Sequence, residues 1–320
     1  MSRTRQLVMF ACAIAAVLAV SANAGATVTT RTIDYGPYTI PAGGGDPHDH
    51  DTMGTITNRI TTNVAKPCTN CDIIKFRPDL VYSDGSEANV NTGPMLHHTL
   101  FAATGGGKTD PVCNGTPIGT LGERFFASGN ERTVADLTSV PYGYEIGRSE
   151  TWNMVIDLMN WQTTSKTVRL RITYTYATGS DATSRARVRP VWLDEDGCST
   201  DSLISVPLGL SDTHYDWTVT VPGRVVLAAG HIHDHGVNVE LTNESAGSAV
   251  ICNSVARYGE TPGYLTPDGR RHVSSMSTCV GNPVATIARG QRLRLHTIYN
   301  VPAEHPPIDD AMGIMLVYVG

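Results

Sequence analysis

Histidines at every second position are the residues in this sequence best placed to bind a metal. The segment GHIHDHG, residues 230–236, carries His231, His233 and His235. On a β-strand, residues i and i+2 face the same side, so these side chains would share one face. Any two of them can hold one ion at bond lengths of about 2.0 Å. A solvated strand face is the alternative interpretation, so the choice between the two depends on whether other metal donors accompany these histidines.

Two further segments carry possible donors. In GPMLHHTLF the neighbouring His97 and His98 would face opposite sides of a regular strand, so both reach one ion only where the strand ends or bulges. Met312 comes just before an apolar run near residue 320. A thioether favours cuprous copper, although methionine is also a common filler of apolar cores. His48 and His50, in the Gly-rich PAGGGDPHDHD, are possible additional ligands or solvated loop residues.

The elements that must position these residues are strands. Short β-branched and aromatic runs such as TVRLRITYTYAT and QRLRLHTIYNV alternate polar with apolar residues and are separated by Gly, Pro, Asp and Asn. No segment keeps a helical apolar period for more than two turns. The pattern predicts an all-β protein, most simply a pair of sandwiches, with a polar joint at residues 177–190.

The first residues predict export. Residues 1–24 carry Arg3 and Arg5, an apolar run and a small-x-small cleavage site, which is the pattern of a secretory signal peptide; a membrane anchor would need a longer apolar run. We expect no membrane span after its cleavage and a secreted, extracellular or periplasmic protein. The full chain has 24 basic and 30 acidic residues, and an acidic balance argues against a nucleic-acid partner. We expect a monomer.

The cysteines agree with an exported chain. Of the seven, Cys12 lies in the predicted signal peptide, and an even number remains, which predicts disulfides. Cys68 and Cys71 have the spacing of a redox pair, but no helix pattern follows them.

The order His-His, His-x-His, Met resembles the copper type II, ascorbate-dependent monooxygenases, the family of peptidylglycine α-hydroxylating monooxygenase and dopamine β-monooxygenase. The stretches ERFFASGNERTVADLTSVPYGYEIG and DDAMGIMLVY also resemble segments of that family, and the resemblance covers roughly residues 65 to 320. It implies two jelly-roll-like antiparallel β-sandwich domains in tandem. After an N-terminal segment with the first strands (residues 25–64), these would span residues 65–180 and 181–320.

The resemblance also implies the metal sites. An oxygen-binding copper would be held by His231, His233 and Met312, which are then the catalytic ligands, and an electron-storing copper by His97 and His98. The implied reaction is hydroxylation of a C–H bond by dioxygen, with ascorbate or another one-electron donor.

The sequence departs from the family at the third ligand of the electron-storing copper. The corresponding segment TWNMVIDLMNW contains no histidine, and Met159 takes its place, followed by Asn160. Met159 is either a thioether ligand, giving two copper ions per chain, or a core residue, leaving one. His235 and His305 are left as neighbours outside the direct ligands.

Three functional alternatives stay open. One is the copper monooxygenase, and another is an exported copper-binding protein of the same fold without hydroxylase activity. The third is a cupin-like metal protein, suggested by the G-x-H-x-H spacing around His231 and by the later His296. The substrate is left open among peptides, amines and glycans.

The positions of the cysteines and the resemblance together imply a disulfide pairing. Cys252 and Cys279 lie between the ligand motifs of the second half and are expected to pair. Cys71 with Cys113 resembles a bridge of the family, which leaves Cys68 with Cys198 as a link between the halves. Six cysteines allow fifteen pairings in all.

Overall fold

Strands make up most of the chain, so the predicted all-β class is confirmed. The computed structural model describes residues 27–47, 50–259 and 271–320. The predicted signal peptide (1–24) and His48 lie outside these ranges, as does the side chain of His50. None of the helices in the described part of the chain has the length and apolar character that a bilayer crossing requires.

The first part of the chain forms a sandwich of two sheets. Its elements are β1 (Thr27–Ile40), β2 (Gly54–Val64), β3 (Cys71–Val81), β4 (Pro94–Thr104), β5 (Glu123–Gly129), β6 (Ala135–Asp136), β7 (Tyr142–Ile146), β8 (Thr151–Asn160), β9 (Lys166–Thr178), α1 (Gly179–Thr183) and β10 (Ala186–Arg187). One sheet has the order β1-β9-β3-β7-β10, with β6 on β3, and the other has the order β2-β8-β4-β5. The strands form where buried apolar residues alternate with more exposed residues. On β9, for example, Val168, Leu170, Ile172 and Tyr174 are buried and the residues between them face outward.

The second part forms another sandwich. Its strands are β11 (Arg189–Asp194), β12 (Ile204–Val206), β13 (Gly209–Thr218), β14 (Gly223–Ile232), β15 (Gly236–Asn243), β16 (Ala249–Tyr258), β17 (Val273–Met276), β18 (Thr278–Ile287), β19 (Arg292–Val301), β20 (Ile308–Ala311) and β21 (Gly313–Val319). The sheet β11-β21-β14-β18 faces the sheet β13-β19-β15-β16-β17, and β12 pairs with β20. Short 3₁₀ helices lie at His50–Thr52, Ile118–Leu121 and Glu244–Ala246.

β21 is buried on both faces and belongs to two apolar cores. Ile314, Leu316 and Tyr318 pack with the aromatic core of the first sandwich. Met315 and Val317, which point the other way, pack in the core of the second. The Tyr318 hydroxyl also donates to the Phe125 carbonyl at 2.7 Å, so the two sandwiches share a dry interface at this strand.

The joint predicted at residues 177–190 is only partly a linker. It contains the end of β9, the short helix α1, and β10, which adds to β7 of the first sandwich as a parallel strand. β11 then begins at Arg189. The division into domains at residue 181 stays a prediction.

The disulfides differ from two of the expected pairs. Cys252 and Cys279 are bonded as expected. The pairs Cys71–Cys113 and Cys68–Cys198 were wrong, because Cys68 bonds Cys71 and Cys113 bonds Cys198. A turn with Asn70 at φ +53° brings Cys68 and Cys71 to a Cα separation of 6.2 Å, a reach that the assignment by resemblance did not consider. The Cys113–Cys198 bond still ties the two sandwiches together.

Candidate metal centre

His97 and His98 lie on β4 at a bulge. Leu96 is opposite Leu158 on β8, and His98 is opposite Asp157, so His97 is the extra residue on β4. A bulge bends the strand and re-aims its side chains. The two imidazole rings lie 4.8 Å apart between centroids. This is the irregularity that neighbouring histidines need in order to reach one ion.

His231 and His233 come from the end of β14. His231 is within the strand and largely buried, whereas His233 follows its last residue, Ile232. The Tyr299 hydroxyl accepts a hydrogen bond from the His233 N–H at 3.0 Å. It also donates to the Met312 carbonyl at 2.7 Å and lies 3.2 Å from the Met312 N–H. One buried phenol therefore fixes the backbones of His233 and Met312 relative to each other.

The two histidine segments meet between the sandwiches. The His97 and His233 rings lie 4.7 Å apart, and those of His231 and His233 lie 5.3 Å apart. One nitrogen each of His97, His98 and His233 falls within 4.8 Å of the others. Donors around one ion at about 2.0 Å are at most about 4 Å apart, so a movement of about 1 Å would let these three share an ion. The sequence had assigned His97 and His98 to a different ion from His233.

An oxygen atom faces one nitrogen of each of three rings. His233 Nδ1 is hydrogen-bonded to the Asp310 carbonyl at 2.6 Å and His231 Nδ1 to Glu131 Oε1 at 3.1 Å. His98 Nε2 lies 2.9 Å from Asp157 Oδ2, a close contact without hydrogen-bond geometry. The opposite nitrogens, His98 Nδ1 and His231 Nε2, are buried and have no hydrogen-bond partner among the described residues. A metal-binding imidazole is typically oriented by an acceptor on its other nitrogen. These residues therefore fit a metal ion.

Glu131 and His231 stabilise each other's charge. Burial favours the neutral carboxyl of Glu131, but the facing His231 outweighs it and holds the pKa of Glu131 below its usual range. Burial also favours a neutral His231, yet the attraction of Glu131 raises the pKa of this imidazole above its ordinary value. The carboxylate orients the ring through Nδ1, and the other nitrogen, Nε2, is the atom that faces away from Glu131.

The methionines take different positions. Met312 is buried between β20 and β21 and lines the same cavities as His98. Met159 is partly buried, packs against Val90 and Met95, and lines a cavity of about 190 Å³ together with His97 and His98. Met159 therefore lies near the histidines while also packing as an apolar residue.

His235 does not share the face of His231 and His233, so the prediction of a common face for all three was wrong. β14 ends at Ile232, and the chain turns between His233 and Gly236, whose N–H donates to the His233 carbonyl at 3.0 Å. His235 adopts φ +69° in this turn, and its ring lies 4.6 Å from that of His305. The i, i+2 rule holds only within a strand.

Asn160 is a structural residue rather than an alternative ligand. Its side chain is fully buried and its amide donates to the carbonyls of Pro41 and Thr164, each at 2.9 Å. Its oxygen accepts from the Gln162 N–H at 3.2 Å. These bonds use the amide to anchor the turn after β8.

The cupin-like arrangement does not form. Glu240 lies opposite His296 on β15 and β19, and His296 faces Asp212 across the outer pair of strands at 3.1 Å. Within residues 27–47, 50–259 and 271–320, the three-residue donor group close enough for an ion is His97, His98 and His233.

A larger cavity of about 540 Å³ adjoins the histidines. Its walls come from β4, β5 and the 3₁₀ turn Ile118–Leu121 on one side, and from Trp192, Met312 and Ile314 on the other. His98, His231 and Met312 are among its lining residues. The geometry therefore places a substrate-sized space directly beside the donor atoms.

The sequence of this protein is similar to one protein family and to two curated proteins, and these matches include residues of the candidate metal centre. Residues 156–320, just over half of the chain, match the model of the family described as "Stress up-regulated Nod 19" (SURNod19). The chain belongs to the SURNod19 family. The matched segment includes Asp157, His231, His233 and Met312, whereas His97 and His98 precede it.

Two fungal relatives share more of the length of this SURNod19 protein. "Probable copper-dependent oxygenase M1" of Phoma sp. (strain ATCC 20986 / MF5453) is 28% identical over 309 residues, covering 90% of this chain and 72% of its own. "Probable copper-dependent oxygenase clz3" of Cochliobolus lunatus is 27% identical over 261 residues, covering 75% and 77%. The solved structure of PBCV-1 VP54 fitted into the virophage Sputnik covers 92% of this chain, but a TM-score of 0.28 at 6% identity carries no argument.

Sequence reasoning missed the residues that orient the imidazoles of the SURNod19 protein. Asp157 lies two residues before Met159, and this spacing on β8 was a usable signal once His98 was a candidate. Glu131 and Tyr299 gave no such signal, because Glu131 reaches His231 from the turn after β5 and Tyr299 reaches His233 from β19 of the facing sheet.

Proposed function

We propose that this SURNod19 protein is an exported copper-dependent monooxygenase that hydroxylates a C–H bond with dioxygen and a one-electron reductant such as ascorbate. The observation that carries the proposal is the convergence of His97, His98 and His233, with donor nitrogens within 4.8 Å of one another. The printed names of both fungal relatives support copper and oxygen as the reactants. The disulfides of the described residues support export, since such bonds persist in oxidising compartments.

The proposed copper ligands are His97, His98 and His233, with His231 and Met312 beside them. Imidazoles suit several transition metals, but a thioether selects cuprous copper, so Met312 is what favours copper over zinc. Copper bound here would supply one-electron chemistry with dioxygen and the reductant. The geometry favours one ion shared by the two sandwiches over the two separate ions that the resemblance implies.

The remaining residues orient the donors. Asp157 Oδ2 faces His98 Nε2 at 2.9 Å, and the Asp310 carbonyl is hydrogen-bonded to His233 Nδ1 at 2.6 Å, so each oxygen orients its ring through the nitrogen that would not bind the metal. Tyr299 keeps Met312 in register with His233. The larger cavity, which His98 and His231 line, would hold a substrate beside the donor atoms.

Copper content and oxygen uptake test the proposal together. Native protein loaded with Cu(II) and freed of excess metal is expected to retain copper by elemental analysis and to consume oxygen with ascorbate. His97→Ala and His233→Ala should each lose copper, because each removes a ligand of the same ion. His214→Ala changes an exposed histidine on β13 and is the matched control. Equal copper in all four proteins would overturn the ligand assignment.

A second candidate, a copper-binding protein without hydroxylase activity, is favoured by Met159. The resemblance requires a histidine there, and the structure packs Met159 against Val90 and Met95. Stoichiometric copper without ascorbate-dependent oxygen uptake would support this candidate, and two coppers per chain with uptake would support the two-site monooxygenase.

A further inference from the structure

We propose that the cavity of about 540 Å³ beside the histidines binds an uncharged, largely apolar small molecule as the substrate, which rests on the proposed function. Its volume is that of a typical ligand pocket, about 300–1,000 Å³. Most of its walls are apolar, including Leu100, Leu121 and Val155 of the first sandwich and Ile314 of the second.

The only cationic side chain with a fixed charge among the described lining residues is already neutralised. Arg124 is 2% exposed, and its Nε donates to Asp110 Oδ2 at 2.6 Å. Its guanidinium also stacks over the Trp192 ring, 4.9 Å from the centroid. A carboxylate or phosphate on the ligand would have to compete with Asp110 for this group, so the walls do not favour an anion.

The lining carboxylate lies at the rim. Asp201 is exposed, borders the smaller cavity as well, and accepts a hydrogen bond from Ser199 at 2.7 Å. An ammonium group deep in the cavity would therefore have no counter-ion, and burying an unpaired charge costs several kcal/mol. Both signs of charge are thus disfavoured inside.

The exposed part of the cavity is also apolar, as the binding of an uncharged ligand requires. Ile60 on β2 lines the cavity and is 56% exposed, which is unusual for a large aliphatic side chain. Thr99, Ser128 and Ser202 contribute uncharged hydroxyls, which donate to the Val155 carbonyl, the Gly129 carbonyl and the Asp194 carboxylate and can still accept a hydrogen bond from a ligand hydroxyl. They suit a ligand with a few neutral oxygen atoms on an apolar skeleton, whose reacting end would lie near His98, His231 and Met312.

Three probes with one skeleton test the charge preference. These are 2-naphthylethanol, 2-naphthylacetate and 2-naphthylethylammonium. Their binding to the full-length protein is measured by equilibrium dialysis at pH 7, with and without copper. The alcohol is expected to bind at least about tenfold more tightly than either charged probe, since each of these must bury an unpaired charge. Equal affinity for all three, or a preference for a charged probe, would overturn the proposal.

Variants locate the binding to this cavity. Ile118→Trp fills it from the 3₁₀ turn, and Ala127→Leu fills it from β5; each should weaken alcohol binding at least about tenfold. Leu210→Trp places the same large side chain at an exposed position outside the cavity and should leave binding unchanged. Undiminished binding in both filling variants would overturn the proposal, because the probe would then bind elsewhere.

Copper content measured on the same samples separates this inference from the proposed function. Retained copper with no binding of the alcohol would overturn the apolar-substrate proposal alone. Tight alcohol binding that Ile118→Trp abolishes would support it, whether or not copper is bound.

Discussion

Removing the Tyr299 hydroxyl tests directly whether this group positions His233 and Met312 in the metal centre. The hydroxyl accepts from the His233 N–H, donates to the Met312 carbonyl and lies within hydrogen-bond distance of the Met312 N–H, all in a fully buried setting. Tyr299→Phe removes this oxygen and keeps the ring. Each buried backbone group left without a partner costs about 1–3 kcal/mol, so the free energy of unfolding should fall by about 2–4 kcal/mol.

A purely structural role would stop at that loss. Because the same hydroxyl sets the spacing of His233 and Met312, we also expect copper affinity to fall by about 10- to 100-fold, as happens when an outer partner of a metal ligand is removed. Urea unfolding measures the first effect, and competition with a chelator of known copper affinity measures the second.

Tyr318→Phe is the matched control. Tyr318 is also fully buried, but its hydroxyl makes one hydrogen bond, to the Phe125 carbonyl, away from the histidines. We expect a loss of about 1–2 kcal/mol and no change in copper affinity. If Tyr299→Phe matches this control in both measurements, the reasoning that Tyr299 positions the metal ligands is refuted.

Asp157→Asn should lower copper affinity by about 10- to 100-fold in the same chelator assay, because an amide facing His98 Nε2 favours a proton on Nδ1, the nitrogen that would bind copper. Asp34→Asn, the matched control at an exposed ion pair with Arg171, should leave copper affinity unchanged. Burial raises the pKa of Glu195 to about 7, so between pH about 4.5 and about 7 the folded state holds a proton that the unfolded state has lost. The contribution of Glu195 to the free energy of unfolding is therefore highest below pH about 4.5 and falls by about 1–2 kcal/mol as the pH rises to about 7, after allowance for partial exposure. The unfolding free energy of Glu195→Gln should lack this pH dependence. Removing the Cys113–Cys198 bond by a double serine substitution should lower the free energy of unfolding by about 4–5 kcal/mol in a denaturant titration. Removing Cys68–Cys71 in the same way should lower it by about 1.5 kcal/mol, because the first bond closes a loop of 85 residues and the second a loop of 3. Equal losses would contradict the loop-entropy argument.

The sequence was sufficient for the fold class because alternation is a local property. Every second residue of β9 from Val168 to Tyr174 is buried, as a strand with one face on a core requires. Residue type and order indicated the candidate ligands, and a strand end or a bulge was the condition for His97 and His98 to face the same ion; the structure has the bulge.

Long-range features were beyond the sequence for a physical reason. That His97 lies beside His233 depends on how two sandwiches dock, and no local pattern encodes this docking. The disulfide pairing likewise depends on which loops meet, as Cys113 and Cys198 do. His235 was misplaced because one left-handed residue in a turn ends the alternation that had grouped it with His231.

The double burial of β21 has a consequence for the order of folding. This strand closes the apolar cores of both sandwiches, and Met312 immediately precedes it. The contacts that assemble the centre join segments distant in sequence, and such contacts form late because their loops are entropically costly to close. We therefore expect the histidines to come together late in folding, and retention of copper to report that the whole chain has reached its native state.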